Sequence, residues 1–439
     1  MRKIITITAA LSAVFAATAT ATATPPRVLR SEFIAYDTRE AALSGDRHSI
    51  QRFTVVNPTI VSQRRDAVIY MQGFDTDPAY GDYNTYLHLE NVGSAYTLLV
   101  NGKVLAEIED DRTPADFILN DVLVQGRNTL TLELRESRTP QINNGTPQTA
   151  VAQFEGSRLY SQRKVRIDDF SARILPDSTG SYGVLTLDII AANDFNFEER
   201  FSVGYDITSP SGKLLDYTVR EVTIPGHSRD TIHITAPIYD APKNPWGEYK
   251  DSAPLYRVVL YIKRGGKPEQ YIPFNTAYGS VIFADGKLTR NGRETEFIPH
   301  RYVSQPDRTS ARREIERLKS AGVNTLMPDY PQPEWFYDEC DKAGMYVLDR
   351  AAIYAEDMRT IRSRGGTPSN DPELLGEYIS RIESMYFRMR NHPSVAGFLL
   401  GGEAGNGYNM YKAYQHLKSL ETQRPVLYDD ARGEWNSDM

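Results

Sequence analysis

The stretch NHPSVAGFLLGGEAGNG, Asn391 to Gly407, carries the most chemically pointed side chain of this sequence: Glu403, one carboxylate among glycines at the end of an apolar run. Glycine permits tight backbone turns and leaves space for a bulky molecule to approach. The other reactive side chains are less pointed. Cys340 sits mid-helix beside an apolar partner, the setting of an inert core thiol. His392 precedes Pro393 in a helix-to-strand turn and reads as structural. The seven histidines show no His-x-x-x-His spacing, so neither a metal nor another cofactor is expected.

Such a carboxylate needs a scaffold. From about Asp285 helical and extended segments alternate. SARREIERLKSAGVN spaces Ile315 and Leu318 as a helix ending at Gly322, and TLMPDYP reads as a brief strand. PEWFYDECDKAGM is again helical, with Phe336 and Cys340 on one face and Gly344 at its end, before the strand YVLDRAA. In DPELLGEYISRIESMYFRMR, Asp371 is a predicted N-cap and Pro372 falls in the first turn, with Leu375, Ile379, Ile382 and Met389 predicted buried. VAGFLLG and PVLYDD complete the series. This alternation predicts right-handed βαβ units around a parallel sheet. Sites in such barrels lie at the C-terminal ends of the strands, where Glu403 falls. Five strands are counted (EFIPHRY, TLMP, YVLDRA, VAGFLLG, PVLYDD), against eight in about 250 residues for a complete barrel.

Upstream the language is that of short strands. YLHLENVGSAYTLLVNGKVLAEI holds a turn at Gly93-Ser94 and a tight hairpin signal at Asn101-Gly102, and Leu130, Leu132 and Leu134 alternate with polar neighbours. From about Val165 to Ala277 similar strands recur in a number suited to an immunoglobulin-like sandwich. The predicted fold class is multidomain β plus α/β: residues 24–164 a jelly-roll-like β-sandwich, 165–284 an immunoglobulin-like β-sandwich, and 285–439 a partial (β/α) TIM-type barrel of about five strands.

Residues 1–23 read as a cleaved secretory signal: Arg2 and Lys3 precede the apolar Ile4 to Ala17, and Ala-x-Ala sites end at Ala19, Ala21 and Ala23. The apolar part is shorter than the roughly 20 residues that span a bilayer. No membrane span is expected, and the mature product is expected in the periplasm or secreted. Cys340, the only cysteine, forms no internal disulfide. Removing the leader leaves 48 basic against 57 acidic side chains, a balance of −9, which argues against a nucleic-acid partner.

The order of two sandwiches and a barrel, with YLHLENVGSAYTLLVNGK, DGKLTRNGRE, WFYDECDKAGMYVLD, NHPSVAGFLLGGEAGNG and RPVLYDD, resembles glycoside hydrolase family 2, the β-galactosidase, β-glucuronidase and β-mannosidase group. The resemblance covers nearly the whole mature chain. It implies that residues 24–164 form a sugar-binding domain, that Glu403 is the catalytic acid/base, that His300, Asp329, Tyr330 and Asn406 contact substrate, and that the partner is an oligosaccharide or polysaccharide.

The sequence also departs from the family. Retaining hydrolysis needs two carboxyl groups about 5–5.5 Å apart, and the family's nucleophilic Glu comes late in the barrel, beyond the 36 residues that follow Glu403. Gly402 stands where the family has Asn. Pro328-Asp329-Tyr330-Pro331 replaces an Arg-x-Ser-His-Tyr-Pro pattern, and His300-Arg301-Tyr302-Val303 replaces Asn-Arg-His-Glu. Asp349-Arg350 replaces Asp-Glu, and Tyr354 and Glu356 fall at metal-ligand positions. Asp429 and Asp430 are conceivable substitute nucleophiles but read better as strand-end turn residues; Glu356 and Asp349 are weaker. Two functions follow as expectations: an exported β-galactosidase-type glycoside hydrolase impaired by the missing nucleophile, or a non-catalytic carbohydrate-binding homologue. An open five-stranded sheet would also expose an edge, so self-association or a partner chain completing the barrel is expected.

Overall fold

In the computed structural model, residues 27–46, 53–64, 67–76, 80–143, 152, 154–247, 253–355 and 367–439 are described. The expected leader, residues 1–23, and Glu356 lie outside them. Among the described residues no helix is long and apolar enough to cross a membrane.

Helix α1 (Arg39–Ser44) packs through Ala41 and Ala42 on Val259, Tyr261 and Tyr271 of the second sandwich, whereas the first unit contains the strands β1 (Arg27–Val28), β2 (Phe53–Val55), β3 (Thr59–Gln63), β4 (Ala67–Asp75), β5 (Tyr83–Leu89), β6 (Ala95–Val100), β7 (Lys103–Ile108), β8 (Ala115–Ile118), β9 (Arg127–Arg135) and β10 (Arg158–Arg163). They form two five-stranded sheets, ordered β1-β8-β5-β10-β2 and β3-β4-β9-β6-β7. Leu87 and Phe117 of one sheet pack with Leu98, Leu130, Leu132 and Leu134 of the other in one buried core. The alternation on β9 thus faces inward residues to the opposite sheet. At the β6–β7 hairpin, Asn101 and Gly102 have φ of 53° and 76°, the left-handed pair that a two-residue turn between twisted strands requires.

A second sandwich follows: β11 (Val165–Pro176), β12 (Gly183–Asn193), β13 (Glu199–Thr208), β14 (Leu214–Ile224), β15 (Ser228–Ile238), β16 (Tyr256–Arg264) and β17 (Lys267–Thr276). Sheets β11-β12-β15 and β14-β13-β16-β17 enclose Ile167, Leu187, Ile234, Val203, Leu260 and Ile272. A small antiparallel sheet, β18 (Val281–Ala284), β19 (Lys287–Arg290) and β20 (Arg293–Glu294), leads to the last unit.

That unit is a parallel sheet in sequence order: β21 (Pro299–Tyr302), β22 (Thr325–Pro328), β23 (Tyr346–Arg350), β24 (Val395–Leu399) and β25 (Val426–Leu427). Helices α2 (Arg308–Ser320), α3 (Glu334–Ala343), α4 (Leu375–Met389) and α5 (Tyr408–Leu420) connect the strands. The helix-facing core takes Leu326, Val347, Phe398 and Val426 with Ile315, Phe336, Cys340 and Ile382. Leu348, Leu399 and Leu427 form a smaller cluster on the other face with Phe297 and Met327. Cys340 is fully buried. Asp371 caps as expected, its Oδ1 accepting from Glu373 N–H at 3.1 Å, although the first turn is 3-10 and α4 starts at Leu375. Leu375 and Ile379, expected in the core, are only half-buried, whereas Tyr378, Arg381, Met385 and Arg388 are buried. The first sandwich covers the polar flank of α4: Arg381 Nη1 donates to Asn143 Oδ1 at 2.6 Å and Arg388 Nε to Glu32 Oε2 at 2.8 Å.

The edge expected to be open at β25 is occupied from within the chain. Val426 accepts from Asp438 N–H at 2.9 Å and donates to Asp438 Oδ2 at 2.8 Å, and Tyr428 N–H donates to Ser437 Oγ at 3.1 Å. Residues 437–438 therefore satisfy the groups that would otherwise template another strand.

The junction of sandwich and barrel is ionic. His88 of β5, 2% exposed, lies 2.9 Å from Glu90 and 3.2 Å from Asp116, and Glu32 pairs with Arg388 at 2.8 Å. Burial and Arg158 push the His88 pKa down, but Asp116 and Glu90 outweigh them and hold it at about 9. A histidine raised above its unfolded value stabilises the fold fully below about pH 6.5 and progressively less as pH rises through its folded value. The thermal midpoint is therefore expected to fall between pH 6.5 and 9, with a shallower fall in His88→Gln; calorimetry across that range on both proteins checks it.

Candidate functional site

The C-terminal strand ends place Arg301, Asp329, Arg350 and Glu403 at one rim. Strand alternation sorts their side chains. Tyr302 is buried against Phe336 of α3, with ring centroids 4.6 Å apart, so Arg301 points to the opposite face of the sheet. His300 shares the parity of Tyr302; it is exposed and acts electrostatically on Glu314 of α2. The geometry thus sends His300 to the helix side, away from the substrate role implied by the sequence.

Glu403 is half-buried and has a φ of 42°. A side chain held in the left-handed region costs of order 1–3 kcal/mol and persists where its surroundings dictate the turn. Those surroundings are identifiable. Gly402 N–H donates to Ile353 O at 2.9 Å, and Gly402 forms a parallel bridge with Tyr354, which on its other side bridges Asn143 of the first sandwich. After Glu403, Gly405 N–H donates to Asp430 Oδ2 at 2.9 Å. A Cβ on Gly402 would stand 2.4 Å from the Tyr354 ring and 2.5 Å from Arg350 Nη1. Tyr354 and Arg350 thus fill the volume that a side chain preceding Glu403 would need.

The same two residues begin a polar chain. Arg350 Nη1 donates to Tyr354 Oη at 2.7 Å, and Tyr354 Oη donates to Asp329 Oδ1 at 3.2 Å. Arg301 grips Asp329 through Nε at 2.9 Å to both oxygens and Nη2 at 2.8 Å, a charge-assisted fork. The Asp329 hydrogen bond is the main cause that raises the Arg301 pKa, with Glu403 adding a Coulombic share. Glu403 thus lies within the field of a guanidinium already paired to a carboxylate. Tyr330 packs on Tyr354 at 5.0 Å, and Arg112, from the loop after β7, lies over the Tyr330 ring at 5.0 Å. Burial pushes both phenols up.

The site therefore brings together Glu403, Asp329 and Tyr330 from the expected set. Asn406 is not at hand for a ligand: its amide exchanges hydrogen bonds with Asn436 at 3.2 and 2.8 Å, pinning the turn to the segment after β25. The remaining acids are committed elsewhere. Asp349 faces the helices, accepts from Tyr337 Oη at 2.7 Å, and is pushed by burial up to about 6. Asp430 holds Gly405, and Asp429 is exposed. His392, as expected, is structural, its Nδ1 2.7 Å from Asp341.

Arg301, Arg350 and Tyr354 entered the sequence reading only as departures from a pattern. The strand parity of Arg301 against Tyr302 was the available signal. Arg112 carried none, because a loop of another sheet brings it in. Two acid-histidine groups, Glu32-His88-Glu90 and Asp338-Asp341-His392, have metal-like spacing. In both the histidine is raised to about 9 by carboxylates that overcome its burial.

Residues 305–438 match the model of the glycosyl hydrolases family 2 TIM barrel domain. The β-galactosidase of Priestia megaterium is 26% identical over 381 residues, covering 82% of this chain and 36% of the relative. A β-galactosidase of Enterobacter cloacae is 28% identical over 392 residues, covering 85% and 37%. The chain thus spans little more than a third of the length of these relatives. Among solved structures, Bacteroides uniformis β-glucuronidase superposes with a TM-score of 0.67 at 17% identity, covering 83% of this chain and 46% of that one. Taken with a sheet whose glycine-bounded Glu403 ends the fourth parallel strand, these likenesses support the chain as a glycoside hydrolase family 2 member, with residues 305–438 matching that family's barrel domain in part.

Proposed function

We propose that this chain is the glycan-holding part of a β-galactosidase-type glycoside hydrolase, with Glu403 as the group that protonates the leaving glycosidic oxygen. The carrying observation is the strained, glycine-bounded position of Glu403 at the strand-end rim beside Arg301. On this reading the units are a jelly-roll-like sugar-binding domain (24–164), an immunoglobulin-like sandwich (165–284) and a partial barrel (285–439), and residues 1–23 direct export.

Proton donation is only half of a retaining mechanism, which also needs a nucleophilic carboxylate about 5–5.5 Å away. Among the described residues, Asp329 is neutralised by Arg301, Asp349 faces the helices and Asp430 holds a backbone amide. On this reading the described residues orient a glycan and supply a proton, and none of these three acids serves as nucleophile. A second reading, glycan binding without cleavage, is favoured by Tyr354 and Arg350 occupying the volume beside Gly402.

Hydrolysis of alkyl and dinitrophenyl β-galactosides and β-glucuronides by the purified protein tests the first reading. Glu403→Gln is expected to slow the alkyl glycosides by about 10²-fold or more, the scale of general-acid catalysis, and the dinitrophenyl ones much less, because that leaving group departs without a proton. Equal losses on both, or none, would remove Glu403 as the donor. Glycan binding by calorimetry, unchanged in Glu403→Gln and without any hydrolysis by wild type, would establish the second reading.

Gly402→Asn is expected to cost about 1–3 kcal/mol by overpacking. Adding Tyr354→Ala should recover part of that cost, so that the double variant is more stable than the two single losses predict; denaturation midpoints of the four proteins close the cycle. Export is checked by fractionation and mass spectrometry, the expected product being extracytoplasmic and beginning at residue 24.

A further inference from the structure

Of the two acid-histidine groups, the one formed by Asp338, Asp341 and His392 lines a recess near the N-terminal ends of β23 and β24, where α3 meets the chain before α1 and strand β17. The recess has a volume of about 190 Å³, many times the roughly 10–15 Å³ that one water needs. Its charged lining is Glu32, Glu334, Asp338 and Asp341 with Arg257, Arg388 and His392. The two guanidiniums are committed: Arg388 donates to Glu32 at 2.8 Å and to Gln332 O at 2.7 Å, and Arg257 to Ala42 O at 3.1 Å.

Asp338, Asp341 and His392 each offer one ligand atom, all within 4.8 Å of one another. Asp341 fixes the imidazole: its Oδ2 lies 2.7 Å from His392 Nδ1, and its Oδ1 accepts from Ser394 N–H at 2.8 Å. Among the described residues, nothing bonds His392 Nε2. A histidine oriented by a carboxylate in this way is the common form of a metal ligand. A tetrahedral ion about 2.1 Å from each ligand holds them about 3.4 Å apart, and Asp338, whose side chain is 34% exposed, is free to close the difference. Arg308 Nη2 reaches Asp338 at 3.3 Å, but Glu339 holds the same guanidinium more closely, at 2.7 Å.

The other acid-histidine group differs in room and in charge. Beside Glu32 and His88 the recess is only about 20 Å³. Arg158 stands 3.6 Å from Glu32 and Arg388 4.0 Å from Glu90, where both repel a cation. Around His392 the charges that act most strongly are Asp341, Asp338 and Glu334. Carboxylates that hold a proton on the ring exert the same pull on a divalent cation, which displaces that proton on binding.

We propose that Asp338, Asp341 and His392 bind a divalent transition cation of the zinc type, with water in the recess completing its coordination. A mixed carboxylate and imidazole set suits such an ion better than magnesium or calcium, which take oxygen ligands. The ion ties α3 to the turn between α4 and β24, so its binding stabilises the base of the barrel. The inference does not depend on glycosidase activity, because Glu403 lies at the other end of the strands.

Titration calorimetry of the whole protein, stripped of metal by a chelator, and thermal midpoints with and without Zn²⁺ test the proposal, with Mg²⁺ and Ca²⁺ as comparison ions. Zn²⁺ is expected to bind and to raise the midpoint, and Asp338→Asn to weaken its binding by about tenfold or more. Arg308→Gln, which removes a competing cation from Asp338, is expected to tighten binding by about two- to fivefold. Weaker binding in Asp338→Asn or, should that variant not fold, tighter binding in Arg308→Gln supports the site. No zinc binding, binding unaltered in the variant that is read, or magnesium or calcium bound more tightly than zinc overturns the proposal.

Discussion

The contact between Gly402 and Tyr354 is the constraint on which the candidate site rests. Tyr354 is bridged to the first sandwich through Asn143 and to the fourth strand through Gly402, so a residue after β23 sets the path of the chain after β24. With no Cβ at 402 the two segments close to bridging distance, and the following residue, Glu403, is driven into a left-handed conformation. The same Tyr354 delivers its hydroxyl to Asp329, which holds Arg301. The backbone bend and the polar chain therefore share one aromatic side chain. A side chain at position 402 and the observed placement of Tyr354 and Arg350 thus exclude one another.

The sandwiches also shape the barrel's electrostatics. Arg112 reaches Tyr330 from the loop after β7, and Glu32 and Asp169 take the guanidiniums of Arg388 and Arg390 from α4 and its end. Arginine serves these junctions because its planar fork satisfies several acceptors while its stem packs on apolar neighbours. Buried ion pairs of this kind contribute little net stability as replacements for hydrophobic contacts, but removing one partner strands the other. The orientation of sandwich and barrel is thus specified by pairs that tolerate no single loss.

The two ends of the parallel strands have opposite characters. At the C-terminal rim, acids and bases balance around Glu403, and Arg301 is largely exposed, so charges there are screened. At the N-terminal end, the guanidinium of Arg424 is buried beside Arg173 and Arg390, where charge acts at lower effective dielectric.

Local pattern determined a large part of this protein. The alternation of Leu130, Leu132 and Leu134, the Asn101-Gly102 hairpin, the caps at Asp371 and Gly344, and the five parallel segments could be read because each depends on residues a few positions apart and on fixed periods of 2 and 3.6. The glycines around Glu403 likewise marked a turn that carries a carboxylate. What only the tertiary structure decided is which side chains meet: that His300 turns to the helices while Arg301 faces the rim, that Asn406 is spent on Asn436, that Leu375 and Ile379 lie half-buried while Arg381 and Arg388 are interior, and that residues 437–438 close the edge of β25. These outcomes depend on partners 9 to 356 positions away in the chain, and the energy of a buried polar group is set by that partner rather than by its immediate neighbours in sequence.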